Sequence, residues 1–103
     1  MKVKWTPMAK GQLLETAKYI LNKFGINAKD GFVEEVKHTS SLLGKYPDLG
    51  KVEPYLIDRP LEYRSIVVSR INKIVYRKDS GVIYIVAFWD TRREPNAQAQ
   101  QLK

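Results

Sequence analysis

The sequence of 103 residues contains no cysteine and only one histidine, His38. Without cysteine there is no disulfide framework, thiolate zinc site, iron–sulfur cluster or cysteine nucleophile. A single histidine also argues against a metal site built from imidazole ligands. We therefore expect neither a metal nor a cofactor.

Long hydrophobic runs are missing as well. No stretch approaches the roughly 18 to 20 apolar residues that span a bilayer, and residues 1–5 lack the apolar core of a signal peptide. We expect a cytoplasmic protein with no membrane partner. The length suits one domain, residues 1–103, without a deep cavity between domains, so a site should be shallow and lie on one face.

Acidic residues are scarce relative to basic ones: 11 against 18, for a net charge of +7. This excess favours an acidic partner, whether nucleic acid, an acidic protein or an anionic membrane surface, although solubility alone also explains a basic protein. The basic residues of 1–51 are all lysines, whereas all six arginines lie between Arg59 and Arg93. Because the planar guanidinium suits phosphate and carboxylate groups, we expect a site in the second half.

The first half shows the apolar spacing of three and four residues that is typical of helices. Thr6 followed by Pro7 predicts the start of a helix over about residues 7–24, which Gly25 ends. Asn27 predicts the cap of a second helix that ends at Gly44. Its expected buried stripe consists of Ala28, Phe32, Val36, Thr39 and Leu43. The short joint between the helices predicts an antiparallel helical hairpin.

The second half alternates with a period of two. Residues 63–69, 73–77 and 82–89 are rich in β-branched and aromatic residues and predict an antiparallel meander. Residues 52–57 and 3–5 are candidates for two further strands. The predicted fold class is α+β, in the order β-α-α-β-β-β(β), with the N-terminal helical hairpin packed on one face of a twisted, mainly antiparallel sheet.

Basic residues recur within the predicted strands. Alternation places Arg64 on the same side of its strand as Ile66 and Val68, and Lys73 on the same side of the next strand as Val75 and Arg77. Such long charged side chains are rarely buried under helices. We expect both sets to share the sheet face without helices, as a shallow basic groove with an apolar floor.

The most unusual segment runs from Phe88 to Pro95, where an apolar strand that ends in Trp89 passes directly into Arg92 and Arg93. One interpretation is that Arg92 or Arg93 binds a phosphate or an acidic side chain, assisted by Arg64 and Lys73. The alternative is that Asp90 and Glu94 pair with these arginines in a solvated strand end.

These pieces together resemble the RelE/ParE toxin superfamily over nearly the whole chain, and ParE-like members more closely. The resemblance rests on the order and spacing of several segments: Pro7 with Ala9, Tyr19-Ile20…Phe24-Gly25…Ala28, Tyr46-Pro47…Gly50, 63–68, 73–77 and 85–95. It implies the toxin of a type II toxin–antitoxin system, which inhibits bacterial growth and forms a hetero-oligomer with a small cognate antitoxin.

The superfamily contains two mechanisms. RelE-like members are ribosome-dependent endonucleases that cut messenger RNA, whereas ParE-like members inhibit DNA gyrase. For a RelE-like enzyme, the resemblance assigns catalytic roles to Arg64, Lys73, Arg92 and Arg93. However, Ile66 occupies a position that is basic in the best nuclease examples, and no Tyr or His follows Arg93. The resemblance therefore favours ParE-like gyrase poisoning, with the endoribonuclease and a degenerate toxin that only binds its antitoxin as alternatives.

The gyrase and endoribonuclease alternatives share one surface prediction. We expect the target or the antitoxin to contact Arg64, Lys73, Arg77, Trp89, Arg92 and Arg93. The antitoxin segment should be an amphipathic helix or an extended strand with acidic residues, lying across the groove or along the helical hairpin.

Overall fold

The computed structural model describes residues 1–102. Its elements, in chain order, are β1 (Lys2–Trp5), α1 (Pro7–Phe24), α2 (Ile26–Lys45), β2 (Lys51–Val52), a 3-10 turn (Pro54–Leu56), β3 (Arg64–Val68), β4 (Asn72–Asp79), β5 (Val82–Asp90) and α3 (Pro95–Gln100). None of the helices within these described residues is long and apolar enough to cross a membrane.

The first helix begins and ends where its sequence signals predict. The hydroxyl of Thr6 accepts a hydrogen bond from the Ala9 N–H at 3.3 Å, and Pro7 occupies the first helical position. Gly25 ends the helix with a φ of 95°, which a residue with a side chain rarely adopts. The prediction of α1 over residues 7–24 is confirmed.

Both ends of the second helix differ from the prediction, and its last residue is Lys45 instead of the expected Gly44. It begins at Ile26, directly after Gly25, so Asn27 lies inside the helix and the expected Asn27 cap is wrong; no side chain caps this end. The turn at Gly25 redirects the chain within one residue and leaves no room for a separate cap. Of the expected stripe, Phe32, Val36 and Leu43 are buried, but Ala28 is exposed.

The five strands form one sheet in the order β1-β5-β4-β3-β2. The pair β1–β5 is parallel, and all other pairs are antiparallel. The predicted α+β class, the meander and the edge strand at the N-terminus are confirmed. The strand expected at 52–57 is wrong beyond Val52, because Pro54 has no N–H and begins a 3-10 turn capped by the carboxylate of Glu53.

The sheet has a buried cluster on each face. The helical hairpin covers one side, called the hairpin face, through Phe32, Val36, Ile74, Ile85 and other apolar residues. The other side, called the opposite face, carries a second cluster formed by Leu56, Val75, Val86, Ala87, Trp89 and Ala99. The expected open groove is therefore wrong over this region, because the 3-10 turn and α3 lie on it.

The C-terminal residues that lie on this face, α3 and Leu102, are called the C-terminal cover. Two polar side chains hold this cover in place. Arg59 donates hydrogen bonds to the backbone oxygens of Ala99, at 2.8 Å, and Leu102. The side-chain amide of Gln98 accepts from the Asp90 N–H and donates to the Asp90 backbone oxygen, each at 3.1 Å. The cover is thus tied both to the loop after the 3-10 turn and to the end of β5.

Candidate functional site

Arg64 and Lys73 lie on different faces of the sheet. In the β3–β4 register Arg64 is opposite Tyr76, whereas Ser65 is opposite Val75 and Val67 is opposite Lys73. Directly opposed residues project to the same side, so Arg64 belongs to the hairpin face and Lys73 to the opposite face. The expectation that Arg64 shares a groove with Lys73 is therefore wrong, whereas Arg77 does line a cleft together with Arg64.

The Arg64 side chain is 23% exposed at this corner of the sheet. Its guanidinium donates to the Gly50 backbone oxygen at 2.8 Å and to the Glu62 carboxylate at 2.9 Å, and lies 3.6 Å from Asp48. Lys78 also donates to Asp48, at 2.9 Å, and chiefly this bond lowers the pKa of Asp48. Arg64 is therefore bound within a network of surface ion pairs.

A cleft of about 200 Å³ opens beside this network. It is lined by Leu61, Glu62, Arg64, Tyr76, Arg77 and Lys78. The Tyr76 hydroxyl donates to the Pro47 backbone oxygen at 2.7 Å and accepts from the Gly50 N–H at 2.9 Å. Burial raises the pKa of Tyr76, so at neutral pH this group acts as a hydrogen-bonded strut rather than as a base.

Lys73 is bound by a carboxylate that the sequence interpretation missed. Glu53 is fully buried and accepts hydrogen bonds from Lys73, from the Ser65 hydroxyl at 2.9 Å and from the Tyr55 N–H at 2.8 Å. Burial alone would raise the pKa of Glu53, but the bonds from Lys73, Tyr55 and Ser65 together lower it. The available sequence signal was an acidic residue directly before Pro54, at a turn start that needs a cap.

Two aromatic rings complete the surroundings of Lys73. Its ammonium group lies 5.4 Å from the centre of the Trp89 ring and 5.7 Å from that of Tyr55. Trp89 itself is only 1% exposed, beneath the C-terminal cover. The expectation that Trp89 lies on an accessible binding surface is therefore wrong. Trp89 is covered by α3, a helix that the sequence pattern did not predict.

Arg77 also lies on the opposite face, but far from Arg92 and Arg93. Its guanidinium stacks 4.9 Å from the centre of the Tyr84 ring and pairs with Asp79 at 3.2 Å. β5 ends next to Asn72, the first residue of β4, so Arg77 lies five residues from that end. At about 3.3 Å per residue, this is roughly 16 Å along the strand.

Asp90 binds Arg92 in the two-pronged manner that suits a guanidinium. Arg92 donates Nε–H to Oδ1 at 3.1 Å and Nη2–H to Oδ2 at 3.0 Å, while its backbone N–H donates to Oδ1 at 2.8 Å. The hydrogen bond from Arg92 is the main cause of a lowered pKa at Asp90. The interpretation in which Asp90 pairs with an arginine is thus confirmed for Arg92. Glu94 instead caps α3 through the N–H groups of Asn96 and Ala97.

The structure brings Arg92 and Arg93 beside the β3–β4 turn. The N–H and hydroxyl of Thr91 both donate to the Ile71 backbone oxygen, at 2.7 and 2.9 Å. Arg93 is exposed and makes no ion pair with any of residues 1–102. Of the six predicted residues, Arg64 and Arg77 lie at one end of the sheet, Arg92 and Arg93 lie at the other, and Lys73 packs against buried Trp89.

Comparison with known proteins decides the family. The family model described as the ParE toxin of the type II toxin–antitoxin system, parDE, matches residues 3–95. The chain belongs to the ParE toxin family. A search of curated proteins found no match.

The ParE family assignment agrees with a solved structure. A chain of the chromosomal ParDE toxin–antitoxin system from P. aeruginosa superposes with a TM-score of 0.73 at 18% identity, covering 89% of this chain and 97% of that one. At this identity the likeness shows a shared fold. The ParE-family match spans both arginine groups, including the Arg92–Arg93 pair at the end of the sheet.

The chemistry available to this ParE-family chain is anion binding by guanidinium groups. Asp90, the carboxylate nearest Arg92, has a lowered pKa and is held by that arginine, so it is a weak proton acceptor at neutral pH. Glu53 is buried with Lys73. Among residues 1–102, no three His, Asp or Glu side chains lie close enough together to hold a metal ion.

Proposed function

We propose that this chain is a ParE-like toxin that stops bacterial growth by inhibiting DNA gyrase and is neutralised by a cognate antitoxin. The observation that carries the proposal is the ParE family match over residues 3–95. The exposed arginines after β5 supply the charged contact surface for the target. The remaining support comes from the chemistry that surrounds those arginines.

Ribosome-dependent cleavage of messenger RNA needs a base for the ribose hydroxyl and an acid for the leaving oxygen. Arginine stays protonated at neutral pH and does not shuttle protons there. Beside Arg92, the Asp90 carboxylate is ionised and doubly hydrogen-bonded. An assembly of this kind suits binding better than proton transfer, which favours the gyrase proposal.

The antitoxin contact is proposed on the helical hairpin rather than across the opposite face. The opposite face is occupied by α3 and the 3-10 turn. On α1, Leu14, Leu21 and Phe24 share one side of the helix, with exposures of 67%, 39% and 63%. Ile26, 54% exposed, continues this apolar stripe onto α2. An amphipathic antitoxin helix would bury the stripe and place acidic residues against the neighbouring lysines.

Induced expression in bacteria tests the toxin mechanism. The gyrase proposal predicts filamentation, double-strand DNA breaks and an SOS response before transcripts are cut. Codon-linked cleavage of messenger RNA on translating ribosomes would contradict it and support the RelE-like alternative. Normal growth with intact DNA would support the degenerate alternative, in which the chain only binds its antitoxin.

Co-purification tests the antitoxin surface separately. Leu21→Glu with Phe24→Glu should abolish capture of the antitoxin encoded beside this gene, because two charges would enter an apolar contact. The matched control is Ile57→Glu with Leu61→Glu, which changes two side chains outside the hairpin, 74% and 51% exposed, and should leave capture intact. Equal capture by both variants would remove the hairpin from the proposal.

A further inference from the structure

Two turns meet at one end of the sheet. The β3–β4 turn contains Ser69 and Arg70, and the segment after β5 contains Thr91, Arg92 and Arg93. Both hydrogen bonds from Thr91 to Ile71 join the two turns directly. This end, called the arginine end, is defined by Arg70, Arg92 and Arg93.

Arg70 is held in an unusual backbone conformation. Ser69 and Arg70 have φ values of 51° and 65°, the left-handed region that Gly or Asn normally occupies in such turns. The Glu35 carboxylate accepts a hydrogen bond from the Ser69 N–H and helps to hold the turn. The Arg70 side chain is exposed. The turn thus presents a guanidinium at a position where backbone geometry alone would favour a smaller residue.

At the arginine end, Arg70 and Arg93 have no internal partner, whereas Arg92 and the nearby carboxylates each have at least one. Arg70 and Arg93 make no side-chain hydrogen bond or ion pair within residues 1–102. Three carboxylates lie nearby, and each is bound: Glu35 by the Ser69 N–H, Asp90 by Arg92, and Glu94 by two N–H groups of α3. An incoming partner therefore meets two guanidinium groups whose N–H donors are not bound to these carboxylates.

We propose that the arginine end contacts the phosphate groups of a DNA duplex, with Arg70 and Arg93 as the contacting residues and Arg92 fixed beside them by Asp90. Two turns form this end, which suits a line of exposed phosphates better than a partner helix, since a helix needs an apolar groove. The inference adds DNA as a direct partner to the proposed gyrase inhibition, and it is testable without gyrase.

The experiment measures binding of the isolated chain to a short fluorescent duplex of mixed sequence at several salt concentrations. Each phosphate contact contributes about −0.9 to the slope of log K against log salt. Arg70→Gln with Arg93→Gln should therefore flatten the slope by about 1.8. Between about 50 and 200 mM salt, the unaltered chain should lose roughly 12-fold more affinity than the double variant.

The matched control is Lys10→Gln with Lys18→Gln, which removes the same charge from exposed positions on α1. This variant should keep the slope of the unaltered chain, and thermal unfolding should show that both variants are folded. Equal flattening by both variants would overturn the inference in favour of diffuse charge. Unchanged duplex binding with weakened binding of a Glu-rich peptide would assign the arginine end to an acidic protein instead.

Failure here and failure of the proposed function are distinguishable. No duplex binding at low salt, together with full inhibition of purified gyrase, would overturn only the DNA contact. Duplex binding without gyrase inhibition would leave the DNA contact in place and overturn the proposed target.

Discussion

Lys73 and Glu53 form an ion pair in which the carboxylate is fully buried and the lysine side chain is 17% exposed. The pair joins β4 to the turn after β2, and the Lys73 ammonium group lies over the aromatic rings of Tyr55 and Trp89. Lys73 is therefore engaged in holding the opposite face together. Of the predicted anion-binding residues, those at the arginine end are better placed to meet a partner.

Glu53→Gln should destabilise the fold strongly. The substitution leaves the Lys73 ammonium group without its carboxylate in a mostly buried place, which costs about 3 kcal/mol of unfolding free energy. Urea unfolding measures the change. The control is Glu62→Gln, whose carboxylate is 57% exposed and pairs with Arg64, and it should cost less than about 1 kcal/mol. Similar losses in both variants would contradict a special role for the buried pair.

Acid should weaken the fold partly through Glu53. The pKa of Glu53 is lowered in the folded state, so its carboxylate stabilises the fold at pH values above the ordinary pKa of 4.5. This contribution is lost as the pH falls through the lowered pKa. Unfolding free energies at pH 7 and at steps below pH 4.5 measure the loss. The unfolding free energy of Glu53→Gln should decline less steeply with falling pH than that of the unaltered chain. Parallel declines in the two proteins would show that other carboxylates cause the loss of stability.

Two glycine substitutions should have opposite signs. A Cβ at Gly50 would lie 2.7 Å from the Ser65 backbone oxygen and 2.9 Å from Tyr76, so Gly50→Ala should cost about 1–3 kcal/mol. Gly31 lies inside α2 with open space around it, so Gly31→Ala should stabilise by about 0.5–1 kcal/mol. Urea unfolding of both variants gives the signs. Stabilisation by Gly50→Ala would show that the loop at Gly50 is not closely packed.

Arg59→Met should loosen the C-terminal cover, because it removes the hydrogen bonds to Ala99 and Leu102. Trp89 fluorescence reports the change in a Trp5→Phe background, where Trp89 is the only tryptophan. We expect red-shifted emission and stronger quenching by acrylamide. Asp58→Asn keeps both bonds and serves as the control. An unshifted spectrum in Arg59→Met would mean that Gln98 and apolar packing hold the cover without Arg59.

The first helix and the three strands of the meander follow from local signals. The Thr6-Pro7 start, the Gly25 stop and the period-two segments each act through neighbouring residues, so the sequence alone predicts them. The faces of Arg64 and Lys73 depend instead on strand register. A one-residue offset moves a side chain to the other side, and the alternation within each strand does not determine the offset between strands.

The cover over the opposite face was missed for a similar reason. The C-terminal segment that forms this cover is short and polar. It is held by Arg59, which lies 40 residues before Ala99 in the chain. No local sequence pattern predicts a hydrogen bond between residues so far apart in the chain. Buried Glu53 likewise becomes recognisable only when Lys73 and Ser65 arrive from other strands. Arg92 and Arg93 were predicted correctly as a charged strand end, whereas Arg70 joins them only through the turn geometry.

Purified gyrase gives the most direct test of the central claim. With relaxed plasmid and ATP, the chain should block supercoiling and accumulate cleaved DNA. Arg92→Glu with Arg93→Glu should weaken this effect by more than about tenfold, since it reverses the charge of Arg93 and of the Arg92 guanidinium beside it. Lys10→Glu with Lys18→Glu carries the same charge change and should remain active. Undisturbed supercoiling by a folded chain at equimolar or higher concentration would contradict the account.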